Sequence, residues 1–194
     1  MIYCIHRVNK IETLKKIGPH FGVEVDIRAK GPQLIMNHDP HVDGDDFREY
    51  MKAYRHRFII LNIKEAGIEE EVIGIMKEHG IEDYFLLDVE YPFVYRATRK
   101  LGFKKIAVRY SEAEPIEFTL AHRGLVDWVW IDTNTKLPLD ESAVAQLKGF
   151  SLALVSPDRW GRPQDIPAYK AEIARLGACM DIVMVEESCV GHWK

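Results

Sequence analysis

Val23-Glu24-Val25-Asp26-Ile27-Arg28 alternates apolar and ionisable side chains, and a period of two is the pattern of a β-strand. Successive side chains of a strand point to opposite faces, so Glu24 and Asp26 share one face. Two carboxylates therefore converge on one spot. The run Leu34-Ile35-Met36-Asn37-His38-Asp39 follows as a hairpin-like extension and carries His38 and Asp39 toward the same end.

Working outward, short β-rich apolar runs recur at intervals of 21 to 34 residues: Ile2–Val8, Val23–Arg28, Arg57–Lys64, Tyr84–Val89, Lys105–Tyr110, Val126–Asp132, Phe150–Ser156 and Asp181–Glu186. Phe58-Ile59-Ile60-Leu61 and Ser151-Leu152-Ala153-Leu154-Val155 are apolar without alternation, as expected of parallel strands covered on both faces. Between the runs, Lys10–Ile17, Ile68–His79, Pro92–Leu101, Pro115–His122, Glu141–Leu147 and Pro167–Leu176 have helical apolar spacing. Gly18, Gly80, Gly102, Gly124 and Gly177 stand where helices should stop, and Pro92 and Pro115 where they should start. Repeated βα units of this kind predict an α/β fold, a compact (β/α)8 TIM barrel forming one domain over residues 1–194 without an inserted domain. A doubly wound open sheet would show a Gly-rich turn after its first strand, and none follows Ile2–Val8.

At 47% apolar and 29% charged residues the chain can bury a sizeable core. Its net charge of −4 supplies no basic face for nucleic acid or an anionic membrane. Cys4, Cys179 and Cys189 are an odd set without CxxC spacing, which argues for a reducing compartment and against a disulfide frame. The N-terminus lacks a basic stretch followed by an apolar one, and no run reaches membrane-spanning length. A cytoplasmic protein without stable membrane insertion is expected. Asp43-Gly44-Asp45-Asp46 is expected to form a turn and a helix N-cap.

In a barrel, the C-terminal ends of the strands form the rim where chemistry occurs. Those ends hold His6-Arg7, Glu24 with Asp26, Asn62 with Lys64, Asp88 with Glu90, Arg109, Asp132, Ser156 and Glu186-Glu187. Such a concentration of ionisable groups at one rim is enzyme-like. Trp128 and Trp130 share a strand face and are assigned to core packing, Glu186 and Glu187 to capping a loop. His20, His41, His56, His79, His122 and His192 lack partner patterns and are assigned to structural or surface positions.

The ordered set His6-Arg7, Glu24-x-Asp26, His38-Asp39 and Lys64 resembles the glycerophosphodiester phosphodiesterase family and the related sphingomyelinase D-type enzymes. Phe85-Leu86-Leu87-Asp88 and Leu154-Val155-Ser156-Pro157 are similar to the family's fourth and seventh strands. The resemblance implies a metal-dependent phosphodiester hydrolase acting on a glycerophosphodiester-like or glycan or lipid head-group diester. A phosphodiester is anionic with a poor leaving group, so charge must be neutralised, a nucleophile activated and the alkoxide protonated. Glu24 and Asp26 suit a hard cation such as Mg²⁺ or Ca²⁺. Arg7 and Lys64 suit the phosphate oxygens, and His6 and His38 suit general acid and base, the sequence leaving open which is which.

One departure bears on the metal. The family usually has an acidic third ligand two residues before the lysine, where this chain has Asn62. An amide oxygen can ligate but brings no charge. The arginine and threonines that commonly follow the family's His-Asp are also missing, Pro40-His41-Val42-Asp43 standing there instead. These departures favour, as the alternative, a relative that binds a phosphate or sugar-phosphate without turnover. A zinc hydrolase is disfavoured, since strand one has no His-x-His and no Cys/His cluster has zinc spacing.

Overall fold

All eight predicted strand runs form parallel strands in the computed structural model, which describes residues 1–194. They are β1 (Ile2–Ile5), β2 (Gly22–Lys30), β5 (Phe58–Ile63), β6 (Tyr84–Leu87), β7 (Ala107–Tyr110), β8 (Trp128–Ile131), β9 (Ser151–Val155) and β10 (Ile182–Val185). β1 pairs with both β2 and β10, β2 with β5, β5 with β6, and β7 through β10 pair in sequence order. A parallel bridge from Leu86 to Ile106 joins β6 to β7 and closes the ring. The result is a (β/α)8 barrel. β1 stops short of the predicted Val8 because Arg7 turns into the left-handed region, at φ 52°. β2 runs on past Arg28, bends at Gly31 (φ 58°) and returns as β3 (Gln33–Met36), with β4 (Asp45–Asp46) beside it.

The helices outside the barrel are short, as the length of the chain requires. They are α1 (Ile11–Leu14), α2 (Phe47–Ala53), α3 (Glu69–Glu78), α4 (Tyr91–Arg96), α5 (Ile116–Leu120), α6 (Glu141–Gln146), α7 (Ile166–Arg175) and α8 (Val190–Trp193). The aspartate cluster behaves as expected at Asp46, whose side chain accepts from Glu49 N–H at 2.9 Å and caps α2. Its neighbour Asp45 caps a second helix, accepting from Ile11 N–H at 2.7 Å. α1 covers only the middle of the predicted Lys10–Ile17 helix, since Gly18-Pro19 follows and a residue before proline is disfavoured in helical geometry. No helix is long and apolar enough to cross a membrane.

Strand parity divides the apolar residues into two groups. Outward side chains such as Val23, Val25, Ile59, Leu61, Val129 and Leu154 pack against the helices in one large cluster. Inward ones, among them Cys4, Phe58, Ile60, Phe85, Trp130 and Met184, fill the barrel as an apolar plug. Trp128 closes the lower end, its ring 4.9 Å from Phe85 and 5.2 Å from Phe58. Both tryptophans thus pack inside the barrel, and Trp130 also forms part of the floor of the cavity above.

Candidate active site

The inward parity that builds the plug continues past it. After Cys4 the next inward position on that strand is His6, and Gly22 leads to Glu24 and Asp26 on β2. Ile60 leads to Asn62 and then Lys64, Ala107 to Arg109, Trp130 to Asp132, and Met184 to Glu186. One layer of ionisable groups therefore sits directly on the apolar plug. His6, Arg7, Glu24, Asp26, His38, Asn62 and Lys64 all line one cavity of about 220 Å³ at the C-terminal mouth of the barrel. Every site residue expected from the sequence is brought to this cavity.

Glu24 and Asp26 are almost fully buried, at 2% and 1% exposure. Arg7 N–H donates to Glu24 Oε2 at 2.8 Å, an approach made by the left-handed turn at Arg7. Asn62 Nδ2 donates to Glu24 Oε1 at 3.0 Å, because β2 and β5 pair in a register that sets Asp26 opposite Asn62. Burial, and then the neighbouring Asp26, push the Glu24 carboxyl above the usual carboxylate range, against the opposing pull of His6, Asn62 and the Arg7 N–H. Asp26 is clamped reciprocally by Asn9, whose Nδ2 donates to Oδ2 and whose Oδ1 accepts the Asp26 N–H, both at 2.8 Å. Lys64 Nζ lies 3.1 Å from Asp26 Oδ1, and Arg7 Nε 4.0 Å from Oδ2.

Each histidine is paired with a carboxylate through Nδ1. His6 Nδ1 is 3.3 Å from Glu186 Oε1, leaving Nε2 facing Glu24 Oε2 at 4.0 Å. His38 Nδ1 is 2.8 Å from Asp39 Oδ1 on the hairpin, which Arg28 steadies by donating from Nη2 to the His38 carbonyl at 2.9 Å. A carboxylate only accepts, so Nδ1 is the donor in each pair and Nε2 is the nitrogen left outside it. The same bonds, from His6 and His38 respectively, hold the Glu186 and Asp39 carboxyls below their usual range.

Across the mouth lies a second set of charges. Arg109 bridges two strand ends, with Nη2 2.7 Å from Asp88 Oδ1 and Nη1 2.6 Å from Asp132 Oδ2. Burial opposes the Arg109 charge, but Asp88, Asp132 and Glu114 outweigh it and raise its pKa. Asp132 also accepts from Trp160 Nε1 at 3.2 Å, and Lys64 Nζ lies 3.8 Å from Asp88. Asp88, like Arg7, is held at positive φ, 57°.

Glu186 corrects the sequence reading: its side chain caps nothing in the turn that follows and instead holds His6. The signal was its parity, two residues beyond Met184. Asn9 was not assigned to the site, and Asp88, Arg109 and Asp132, expected at the rim, were not expected to bridge one another. Asn9 lies beyond the end of β1 and reaches Asp26 only because the chain folds back there. Asn62 has its Oδ1 buried without a hydrogen-bond partner. Two buried carboxylates and this free amide oxygen form a hard oxygen donor set that fits a divalent cation.

The sequence matches no known family profile and no curated protein. The structure, in contrast, is similar to solved phosphodiesterases over nearly its whole length. A glycerophosphodiester phosphodiesterase from Agrobacterium tumefaciens superposes with a TM-score of 0.67 at 12% identity, covering 100% of both chains. A phosphodiesterase from Oleispira antarctica, solved with its product sn-glycerol-3-phosphate, gives 0.66 at 15% identity over 98% of this chain and 97% of that one. A glycerophosphoryl diester phosphodiesterase from Parabacteroides distasonis gives 0.62 at 12% identity over 94% and 81%. In fold, this chain stands with the glycerophosphodiester phosphodiesterases.

Proposed function

We propose that this protein is a phosphoric diester hydrolase acting on a small glycerophosphodiester-like substrate. The observation that carries this is the convergence of His6, Arg7, Glu24, Asp26, His38, Asn62 and Lys64 on one polar cavity at the barrel mouth. Arg7 and Lys64 neutralise phosphate oxygens, Lys64 as a compact charge held between Asp26 and Asp88. His6 and His38 exchange protons with the nucleophile and the departing alkoxide through their free Nε2 atoms. Glu186 and Asp39 fix the orientation of the two rings. Glu24, Asp26 and Asn62 hold Mg²⁺ or Ca²⁺, which supplies Lewis-acid polarisation of the phosphoryl group when bound. The burial of Glu24 and Asp26 and the unpartnered Asn62 Oδ1 support that assignment. The catalytic unit is the barrel of residues 1–194, and its three free cysteines favour a reducing compartment, the cytoplasm.

The test is release of alcohol from a panel of glycerophosphodiesters by the purified protein with Mg²⁺ or Ca²⁺. Turnover that disappears in His6→Ala and in His38→Ala, with folding retained, is the expected result; turnover unchanged in both overturns it. Asn62 favours a second reading, because it donates its amide to Glu24 and brings no charge to a metal. On that reading the cavity binds a phosphate or sugar-phosphate without hydrolysing it, seen as ligand-dependent thermal stabilisation with no turnover across the panel.

A further inference from the structure

A second cavity, of about 520 Å³, opens beside the polar one between the loops that follow β6 and β7. Asp88 and Arg109 line both, so the two cavities share a wall. The volume falls within the roughly 300–1,000 Å³ typical of small-molecule sites. Beyond the shared wall its lining is mostly apolar, from Val89, Val94, Ala113 and Pro115 to the rings of Tyr91 and Phe118. Those two rings stand 49% and 45% exposed with centroids 6.1 Å apart. Exposed aromatic surface at the edge of a concave apolar site is the mark of a ligand-binding surface.

Charge at the shared wall is already paired. The Arg109 guanidinium is taken up by Asp88 and Asp132, and Glu114 accepts from Ser111 Oγ at 2.8 Å. Glu114 also lies 4.0 Å from Arg109 Nε, so the charged residues of the lining, two carboxylates and one guanidinium, face one another, and most of the remaining surface is apolar and suits an uncharged group. We propose that it seats the leaving alcohol of the diester and selects an uncharged apolar group, aliphatic or aromatic. This rests on the phosphodiesterase reading. In the step, water adds to phosphorus, the P–O bond to the alcohol breaks, and a proton passes to the departing alkoxide. The products are a phosphate monoester and the free apolar alcohol.

The experiment uses sn-glycerol 3-phosphate esterified to hexanol, benzyl alcohol or choline, with the wild-type chain and Ala113→Trp. Ala113 lines the cavity from its loop and is outside the catalytic set, so a tryptophan there is placed to occupy it. KM for the hexyl or the benzyl ester is expected about tenfold below that for the choline ester, the scale of two buried methylenes. Which of the two is preferred distinguishes an aliphatic from an aromatic alcohol. Ala113→Trp is expected to remove that advantage and leave the choline ester within about twofold. Phe118→Ala, which deletes a half-exposed ring, should weaken the apolar esters in the same direction. Preference for the choline ester, or apolar esters indifferent to both substitutions, overturns the proposal while leaving the phosphodiesterase reading intact. If no diester is turned over, that reading has failed, and calorimetric binding of hexyl phosphate against methyl phosphate decides the cavity. Tighter hexyl binding lost in Ala113→Trp supports the assignment, and equal binding overturns it.

Discussion

His6 sits between two carboxylates, hydrogen-bonded to Glu186 through Nδ1 and facing Glu24 with Nε2. Glu186 acts on chemistry only through this ring. Its replacement by glutamine should therefore lower kcat by about 10- to 100-fold, the usual scale for removing an orienting partner, with KM little changed. The acidic limb of the pH–rate profile should move, a change that a merely structural role would not produce. The same bond has a stability consequence. Because His6 depresses the Glu186 carboxyl below its ordinary value of 4.5, the stabilisation is complete above that value and is lost as pH falls through the lowered one. Unfolding midpoints of the wild type and Glu186→Gln should thus differ at neutral pH and converge on acidification, the difference being small because the Glu186 side chain is 46% exposed. The pairing was invisible as a sequence motif, since the two residues lie 180 positions apart. It became legible only through inward parity on two strands that the closed barrel makes neighbours.

The second strand shows what element-scale patterning can and cannot tell. Val23-Glu24-Val25-Asp26 specified a strand and its two faces, and both carboxylates do face inward. Gly22, one step earlier on the same face, carried no such signal. A Cβ at Gly22 would stand 2.3 Å from Cys4 Sγ and 3.1 Å from the Phe58 carbonyl oxygen, so glycine lets β1, β2 and β5 meet beneath the site. Gly22→Ala should destabilise the protein by about 1–3 kcal/mol, the scale of an overpacked core, measured by urea unfolding. Activity per folded molecule should fall as well, because the strand that shifts carries Glu24 and Asp26. Strand positions followed from apolar runs at regular spacing. Their ends did not: Arg7 and Asp88 turn at positive φ, and each there meets a side chain from another strand, Glu24 and Arg109.

At the scale of the whole molecule, an apolar plug and an ionisable mouth are two layers of one parity. Phe85, fully buried, touches the layer from below through Trp130, with ring centroids 6.4 Å apart. Phe85→Ala should cost about 3–5 kcal/mol of stability, read as an earlier transition in tryptophan fluorescence on urea unfolding. The loss should be felt at the mouth too, because Trp130 donates to Asp132 at 3.4 Å and Asp132 anchors Arg109. The sequence by itself determined the repeat of strand and helix, the apolar faces, and seven residues that meet in one cavity. The first two are set by local periodicity, which each segment carries alone, and the seven were singled out by the ordered set through which the sequence resembles the phosphodiesterase family. Only the tertiary structure decided that Glu186 orients His6, that Asn9 clamps Asp26, that Asn62 turns its amide toward Glu24, and that an apolar cavity shares a wall with the polar one. Those are contacts between distant strands and loops, and their partners are fixed only when the barrel closes and sets the register of each strand against the next.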